Sequence, residues 1–406
     1  MLTVEEARAR ILAHFAALPT EEVPLPEALG RVLAADAIAS EELPPFANSA
    51  MDGYALRAED TAGATAARPA RLRLAGEVPA GRVYAGTVAP GEAVRILTGA
   101  PVPAGANAVL QQELVSVADG LVSLARPVAA GNNIRPAGDD VRPGMRLVPG
   151  GTELGPAEIA LLAALGVHPV TVTRRPRVAI LATGDELAPL GTAPQPGQIR
   201  ESNSPYLTAA VARAGAEPWP LGVAPDRAEE LRAKLAAARE ADLILTSGGV
   251  SVGDYDLVKQ ILAEQGNIDF WRVAMRPGKP LAFGLLGGTP LLGLPGNPVS
   301  AAVTFELFGR PAIRRMLGCA EVERPTVEAV LEGEDIARGD RRHYVRARLA
   351  ARRGTLVARP TGAQGSHLIS SLQGASALLV IAEGEGTVRA GEVVPALLLN
   401  DALPWG

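Results

Sequence analysis

The spacing of hydrophobic positions changes several times along the chain, and each change predicts a different kind of element. Residues Thr3 to Leu18 place apolar side chains at helical intervals, and Thr3 with Glu6 has the pattern of a capping box, so an amphipathic helix is predicted. Residues 46–144 instead contain short alternating stretches bounded by Gly, Pro and Asn, which favour a small all-β module. A second helix, led by a proline, is predicted from Gly155 to Leu165.

From Arg177 onwards, predicted strands alternate with predicted helices. The runs VAILAT, WPLGVA and DLILTSGG have the composition of strands, and helices are expected after Asn203 or Ser204 and after Asp226. Alternation of this kind favours a mostly parallel, doubly wound sheet. Beyond Cys319 the pattern returns to short strands, such as HYVRARLA and SALLVIAE, which indicates a β domain.

These patterns predict an α/β plus β protein of several domains, since 406 residues exceed what one core normally supports. A doubly wound α/β domain is flanked by smaller β-rich domains. The expected boundaries are 1–45 plus 140–174 for a helical or mixed N-terminal domain, 46–139 for an inserted β-rich domain, 175–319 for the α/β domain and 320–406 for a C-terminal β domain.

Composition excludes several classes of protein. The net charge of −5 does not fit a nucleic-acid-binding surface. A single cysteine allows no internal disulfide or cysteine zinc site, and the four histidines are far apart. No apolar run approaches the roughly 20 residues that span a bilayer, and the charged N-terminus does not resemble a signal peptide, so we expect a cytoplasmic protein.

Three predicted strands of the α/β domain end in glycine-rich loops, ATGDEL (182–187), TSGGVSVGDYD (246–256) and GLPGNPVS (293–300). Ligands of open parallel sheets bind beyond the carboxyl ends of strands, where glycines and helix N-termini expose N–H groups to anions. Glycines alone are a weak signal, because ordinary strand-to-helix turns also contain them.

Charged residues on neighbouring loops strengthen that interpretation. Asp185 and Glu186 lie on the first loop, and Asp254 and Asp256 lie on the second. The turn MRPGKP (275–280) adds two cations, Arg276 and Lys279. Carboxylates beside cations suit a phosphate site with a divalent cation, although a surface ion-pair network would use the same residues.

The segment PPFANSAMDGYAL (44–56) is the other dense region. Its Asp52-Gly53 pair could form a simple hairpin turn, and local sequence preferences alone favour that interpretation.

Taken together, these segments resemble the molybdopterin molybdenumtransferase family, which includes MoeA and the gephyrin E domain. PPFANSAMDGYAL, GEVPAG, RILTGAPVPAGANAV, GNNIRPAGDDVRPG, ATGDEL, TSGGVSVGDYD, RPGKPLAFG and LPGNPVSA follow in the family's order over nearly the whole chain. The α/β domain would then bind molybdopterin. The implied reaction inserts molybdate into adenylylated molybdopterin and releases AMP, with Mg²⁺ or another divalent cation assisting.

The resemblance also implies site residues. Catalytic roles would fall to Asp52, Glu186, Asp256 and Lys279, and metal ligation to Glu186, Asp226 and Asp256. Substrate would be held by Thr98, Asp140, Gly248, Gly249, Ser251, Arg276 and Ser300, and Ser366 and Arg346 are further candidates in the C-terminal domain. Asp226 is explained equally well as a helix N-cap. Many relatives have Lys at the position of Arg276, whose planar guanidinium binds oxyanions differently.

Family members are homodimers, and the resemblance places the site between the α/β domain of one subunit and the module with Asp52 of the other. The pathway's adenylyltransferase and molybdoenzyme-maturation proteins are further candidate partners; no nucleic-acid or membrane partner is expected. Two alternatives stay open at this point: molybdopterin adenylyl transfer, and a non-catalytic scaffold like gephyrin. The adenylyltransferases share TSGGVSVGDYD but are shorter and lack the MDGYA region.

Overall fold

A computed structural model describes residues 1–225, 227–249, 261 and 266–400. The chain divides into two compact units. The first comprises Met1–Ala35, Gly150–Gly155 and Pro169–Gly406, and the second comprises Asp36–Pro149 and Pro156–His168. The four-domain division expected from the sequence stays a prediction. Among the described helices, none is both long and apolar enough to cross a membrane.

The first unit is built around a six-stranded sheet, here called the central sheet. In spatial order its strands are Glu217–Ala224, Arg177–Thr183, Leu243–Ser247, Thr289–Leu294, Pro280–Leu286 and Gly266–Arg272. The first four strands are parallel, and Pro280–Leu286 runs antiparallel to both of its neighbours. The predicted mostly parallel sheet is therefore confirmed.

Alternate residues of the central strands feed two separate cores, one on each face of the sheet. Val178 and Ile180 pack with Leu207 and other residues on one face, whereas Ala179 and Leu181 pack with Leu231 on the other. Successive strand residues point to opposite faces, so a strand buried on both sides reads as a continuous apolar run. This arrangement confirms the doubly wound fold class.

The α-helices of the first unit are short and mostly match the predicted ones. Among the described residues they are Val4–Leu12, Asn203–Arg213, Ala228–Ala238, Pro298–Thr304 and Arg310–Met316, and the π-helix Phe305–Gly309 joins the last two. This unit also contains three small strand pairs: the antiparallel pairs Thr20–Val23 with Val170–Thr173 and Ile336–Ala337 with Thr387–Val388, and the parallel pair Leu187–Ala188 with Ile199–Arg200.

Two helix boundaries differ from the prediction. The N-terminal helix has the expected capping box between Thr3 and Glu6 but ends at Leu12, six residues early. Beyond it, the rings of His14 and Phe15 pack against Phe283, so tertiary contacts account for the later apolar positions.

The helix Ala228–Ala238 has Arg227 at its N-cap, one residue after the predicted Asp226, which lies outside the described residues. The N-cap explanation of Asp226 is therefore wrong, and its role as a metal ligand stays a prediction.

The C-terminal part of the first unit forms a closed barrel, here called the C-terminal barrel. Its strands are Thr326–Leu331, Arg342–Arg352, Thr355–Pro360, Ala377–Ile381 and Val393–Leu398. Closure occurs because Arg342–Arg352 pairs with both Thr355–Pro360 and Ala377–Ile381. The short strand Met275–Arg276 adds to the barrel by pairing in parallel with Arg342 and His343.

The second unit contains a six-stranded, mostly antiparallel sheet. In spatial order the strands are Ala108–Gln111, Gly53–Leu56, Glu92–Ile96, Ala70–Val78, Leu121–Leu124 and Val115–Ala118. Two smaller pairs, Ala37–Ile38 with Arg146–Val148 and Asn48–Ser49 with Ile134–Arg135, and the helix Pro156–Ala164 accompany it. The predicted β-rich region and the proline-led helix are both present.

Candidate functional site

Three loops begin side by side at the carboxyl edge of the central sheet, as expected from the sequence. The strands that end at Thr183, Ser247 and Leu294 are adjacent and parallel. The N–H of Gly248 donates to the carbonyl of Leu294 at 3.1 Å, and the Asn203 amide donates to Ser247 Oγ at 2.7 Å and to the next loop at the Gly296 carbonyl at 2.8 Å. Asn203 thus connects two of the loops from a helix start.

Glycine at position 248 is required by its geometry. Its φ of +93° belongs to the left-handed region, and a Cβ there would lie 2.7 Å from the carbonyl oxygen of Thr183. Gly249 follows, also with positive φ, and both glycines are half-buried. Two successive residues at this edge, Gly248 and Gly249, therefore have a backbone N–H group and no side chain.

Glu186 is exposed on the first loop, and its carboxylate lies beside Gly184. The predicted helix start does not follow this loop directly. The short strand Leu187–Ala188 comes first, and the helix begins only at Asn203. The predicted residues Asp226, Ser251 and Asp256 lie outside the described residues, as does Asp254. Within the described ranges, no group of three His, Cys, Asp or Glu side chains could hold a metal ion.

The two cations of the RPGKP turn are attached to different sheets. Arg276 is exposed and belongs to the strand that joins the C-terminal barrel. Lys279 is half-buried; its carbonyl accepts from the N–H of Val273 at 2.8 Å, and the next residue begins a strand of the central sheet. Ser300 is the last residue of the third segment; it lies within the helix Pro298–Thr304 and is 5% exposed.

Arg276 also lines a cavity of about 670 Å³ at the mouth of the barrel, together with His343, Arg359 and Gln364. Burial, reinforced by the charges of Arg276 and Arg346, lowers the pKa of His343 to about 4. His343 is consequently neutral near pH 7, and its buried Nε2 makes no hydrogen bond to any described residue. Its lining combines two arginines, Arg276 and Arg359, with three carboxylates, Glu332, Glu334 and Asp335, so the cavity carries charges of both signs.

Arg346 is 0% exposed, and it organises the loop that leads to Ser366. Its guanidinium donates to Ser371 Oγ at 3.0 Å and to the carbonyls of Gln364 and Gly365 at 3.3 and 3.2 Å. Burial and the charge of Arg276 lower the pKa of Arg346 to about 10. These contacts favour a positioning role over direct contact with substrate.

Ser366 connects that loop to the third loop of the central sheet. Its carbonyl accepts from the N–H of Val299 at 3.1 Å, and its hydroxyl lies 3.1 Å from the amide nitrogen of Asn297. The barrel loop therefore packs on the start of the helix that carries Ser300.

In the second unit, the structure brings Asp52 and Thr98 together. Asp52 Oδ1 accepts from both the N–H and the hydroxyl of Thr98, each at 2.7 Å. These hydrogen bonds, the backbone one first, hold the pKa of Asp52 below its ordinary value. Asp52 is exposed and ionised near neutral pH.

The hairpin interpretation of Asp52-Gly53 is wrong. Asn48–Ser49 pairs with Ile134–Arg135, and Gly53 begins a strand that pairs with Glu92–Ile96 and Ala108–Gln111. Gly53 is needed because a Cβ there would collide with the backbone carbonyl of Leu110.

Asp140 lies at the other end of this region. It is exposed, and its N–H donates to the carbonyl of Leu43 at 2.9 Å. The segments around residues 44–52, 97–102 and 131–141 are joined by backbone hydrogen bonds, including Ser49 to Ala100 and Ala50 to Asn133. Three of the family-like segments thus converge, although no hydrogen bond between described residues joins Asp140 to Asp52.

Several residues of these surroundings were not predicted. Asn203 was noted only as a helix start, and His343 and Arg359 were not assigned a role. A signal existed for His343, since it stands three residues before Arg346 in HYVR. Its position at the cavity depends on barrel closure, which strand spacing does not specify.

Comparison with known proteins covers almost the whole chain. Residues 2–166 match the MoeA N-terminal region (domain I and II), residues 179–315 match a probable molybdopterin binding domain, and residues 328–399 match the MoeA C-terminal region (domain IV).

Individual known proteins are similar to this chain over nearly its full length. Molybdopterin molybdenumtransferase 2 of Mycobacterium tuberculosis is 42% identical over 398 residues, 96% of this chain and 98% of its own. The molybdopterin molybdenumtransferase of Bacillus subtilis is 37% identical over 100% of this chain and 96% of its own. Among solved structures, the molybdopterin biosynthesis MoeA protein of Pyrococcus horikoshii superimposes with a TM-score of 0.87 at 33% identity, covering 99% of this chain and 100% of that one.

Proposed function

Because the chain belongs to the molybdopterin molybdenumtransferase family, we propose that it inserts molybdate into adenylylated molybdopterin and releases AMP during molybdenum cofactor biosynthesis. The observation that carries this proposal is the match of all three family regions, in order, together with relatives of that name along nearly the full length. No observation favours adenylyl transfer or a scaffold role. The cytoplasm is the proposed location.

The substrate would lie at the carboxyl edge of the central sheet. Gly248, Gly249 and Ser251 would cradle the pterin or its phosphate; since the N–H of Gly248 already donates to the carbonyl of Leu294, Gly249 would offer the N–H group. Arg276, Lys279 and Ser300 would bind the oxygens of molybdate and phosphate. The support for these roles is the junction of the loops through Asn203 and the pairing of Ala282 with Gly293, which puts Lys279 at the same edge of the sheet.

We propose Mg²⁺ or another divalent cation as the metal, with Glu186, Asp226 and Asp256 as ligands. The carboxylate of Glu186 is exposed at the sheet edge and is a hard oxygen donor of the type that Mg²⁺ prefers. The bound metal would neutralise charge on the anhydride, while Lys279 would offset the charge of the oxyanion. Thr98 would keep Asp52 ionised and oriented.

The first experiment mixes the protein with adenylylated molybdopterin, molybdate and Mg²⁺ and measures AMP. Release that requires molybdate supports insertion, and release that proceeds equally without molybdate contradicts it. Asp256→Ala should fold normally and lose at least about 100-fold in rate, because it removes an oxygen ligand rather than core packing. Full activity of that variant would contradict the metal assignment.

A second experiment tests a homodimer with a shared site. We propose that Asp52 of one subunit and Lys279 of the other serve the same site, together with Thr98 and Asp140 of the first subunit. Asp52→Ala and Lys279→Ala proteins should each be inactive alone. When they are mixed and allowed to exchange subunits, half of the dimers become hybrids with one intact site, so about a quarter of the wild-type activity should return. No recovery would indicate a site within one subunit.

A further inference from the structure

The outer face of the C-terminal barrel carries three arginines that the proposed reaction does not use. Arg348 and Arg352 lie on one face of the strand Arg342–Arg352, and Arg359 lies directly opposite Arg348 on the neighbouring strand. These arginines line a groove of about 390 Å³. We propose that this groove, here called the arginine groove, binds the tetrahedral oxyanion group of a phosphomonoester or a free inorganic oxyanion.

The register of the two strands places like charges where they repel each other. Side chains directly opposite on antiparallel strands have Cβ atoms about 5 Å apart, and like charges in that relation destabilise a sheet. Arg348 and Arg359 are both exposed and form such a pair. The repulsion is small because both side chains are exposed, and an anion bound by the two guanidinium groups would relieve it.

Neighbouring carboxylates do not neutralise the groove. Arg352 forms an ion pair with Glu332 at 3.0 Å, and Glu332 is the one carboxylate among the groove-lining residues. Arg348 donates through Nε only to the carbonyl of Gly374 at 3.3 Å, and Arg359 makes no hydrogen bond or ion pair with any described residue. Two positive charges therefore stay uncompensated on a chain whose net charge is −5.

The chemistry of the lining fits a phosphate-like group on a small organic compound. Guanidinium groups bind tetrahedral oxyanions through two parallel N–H bonds. Ala350, Val357 and Pro360 add apolar surface, and the volume lies within the range of small-molecule sites. The arginine groove shares Glu332, Arg359 and Pro360 with the barrel-mouth cavity but does not include Arg276, so this proposal does not rest on the proposed function.

The test measures binding and not turnover, in a protein that carries Arg276→Gln to remove the cation of the neighbouring cavity. Inorganic phosphate and phenyl phosphate are titrated separately by calorimetry at low salt. Replacing Arg348 and Arg359 together with Gln should weaken binding of the tighter probe by at least about ten-fold. Arg353→Gln is the matched control, because Arg353 is an exposed cation in the turn of the same hairpin and does not line the groove.

The outcomes separate the two sources of the oxyanion. Tighter binding of phenyl phosphate indicates a phosphomonoester site, and equal binding of both probes indicates a site for free oxyanions. Arg359→Lys keeps the charge and should still weaken binding by a few-fold, because the planar donor pair is lost. Equal affinities of the double variant and the Arg353→Gln control would overturn the proposal, as would no binding of either probe at millimolar concentration.

Discussion

Replacing Arg346 with Lys tests whether the buried guanidinium holds the barrel loop in place. The side chain is 0% exposed and makes three hydrogen bonds between 3.0 and 3.3 Å, to Ser371, Gln364 and Gly365, and a fourth to the carbonyl of Ala363 at the limiting distance of 3.5 Å. Hydrogen bonds to a charged group contribute about 1.5–3 kcal/mol each, and these long ones belong at the lower end. Lys can keep one of the three, so we expect a loss of about 3 kcal/mol in the free energy of unfolding.

Urea denaturation followed by the fluorescence of Trp219 and Trp271 measures this loss, since both lie in the same unit as Arg346. Arg353→Lys is the control, because that exposed turn residue should change stability by less than about 0.5 kcal/mol. If Arg346→Lys is as stable as the control, the loop does not depend on the guanidinium. AMP release should fall in the same variant, because the loop carries Ser366 to the central sheet.

Two further predictions concern carboxylates. Thr98→Val removes one of two hydrogen bonds to Asp52, so the pKa of Asp52 should rise part of the way to its ordinary value of 3.8. NMR titration measures this pKa, and an unchanged value would mean that the hydroxyl contributes nothing. Asp242 is paired with Arg174 at 2.7 Å, and although burial opposes it, hydrogen bonds and this charge keep its pKa lowered. A lowered pKa gives stability that is present above pH 3.8 and is lost as the pH falls through the folded-state value, so wild type should lose more stability below pH 4 than Asp242→Asn. At pH 7 that variant should lose about 1–2 kcal/mol in the free energy of unfolding, a value reduced because Arg174 is 39% exposed. If wild type and variant lose stability identically as the pH falls, this account is wrong.

Local patterns were sufficient to predict the α/β domain. The run 178–183 is apolar throughout because each strand face packs against a separate core. The capping box at Thr3 could be predicted because both of its partners lie within one helical turn. The end of that helix could not be predicted from the local sequence, because Phe15 is buried against Phe283, a residue almost 270 positions away.

The candidate site shows the same division. The glycine loops and the RPGKP cations were predicted because each is a contiguous segment on a predicted strand end. The hairpin predicted at Gly53 was wrong. Glycine is required there by the close approach of Leu110, which lies on the neighbouring strand and 57 residues later in the sequence. His343 was missed because its burial depends on which strands close the C-terminal barrel.

The strand Met275–Arg276 has a consequence for recombination between relatives. It pairs with the C-terminal barrel, yet it is encoded before the helix Pro298–Thr304 and is followed at once by a strand of the central sheet. A chimaera that exchanges residues 320–400 alone would leave one strand of the barrel behind, paired with a foreign edge. A chimaera that preserves the pairing of Arg276 with His343 must therefore exchange both segments together.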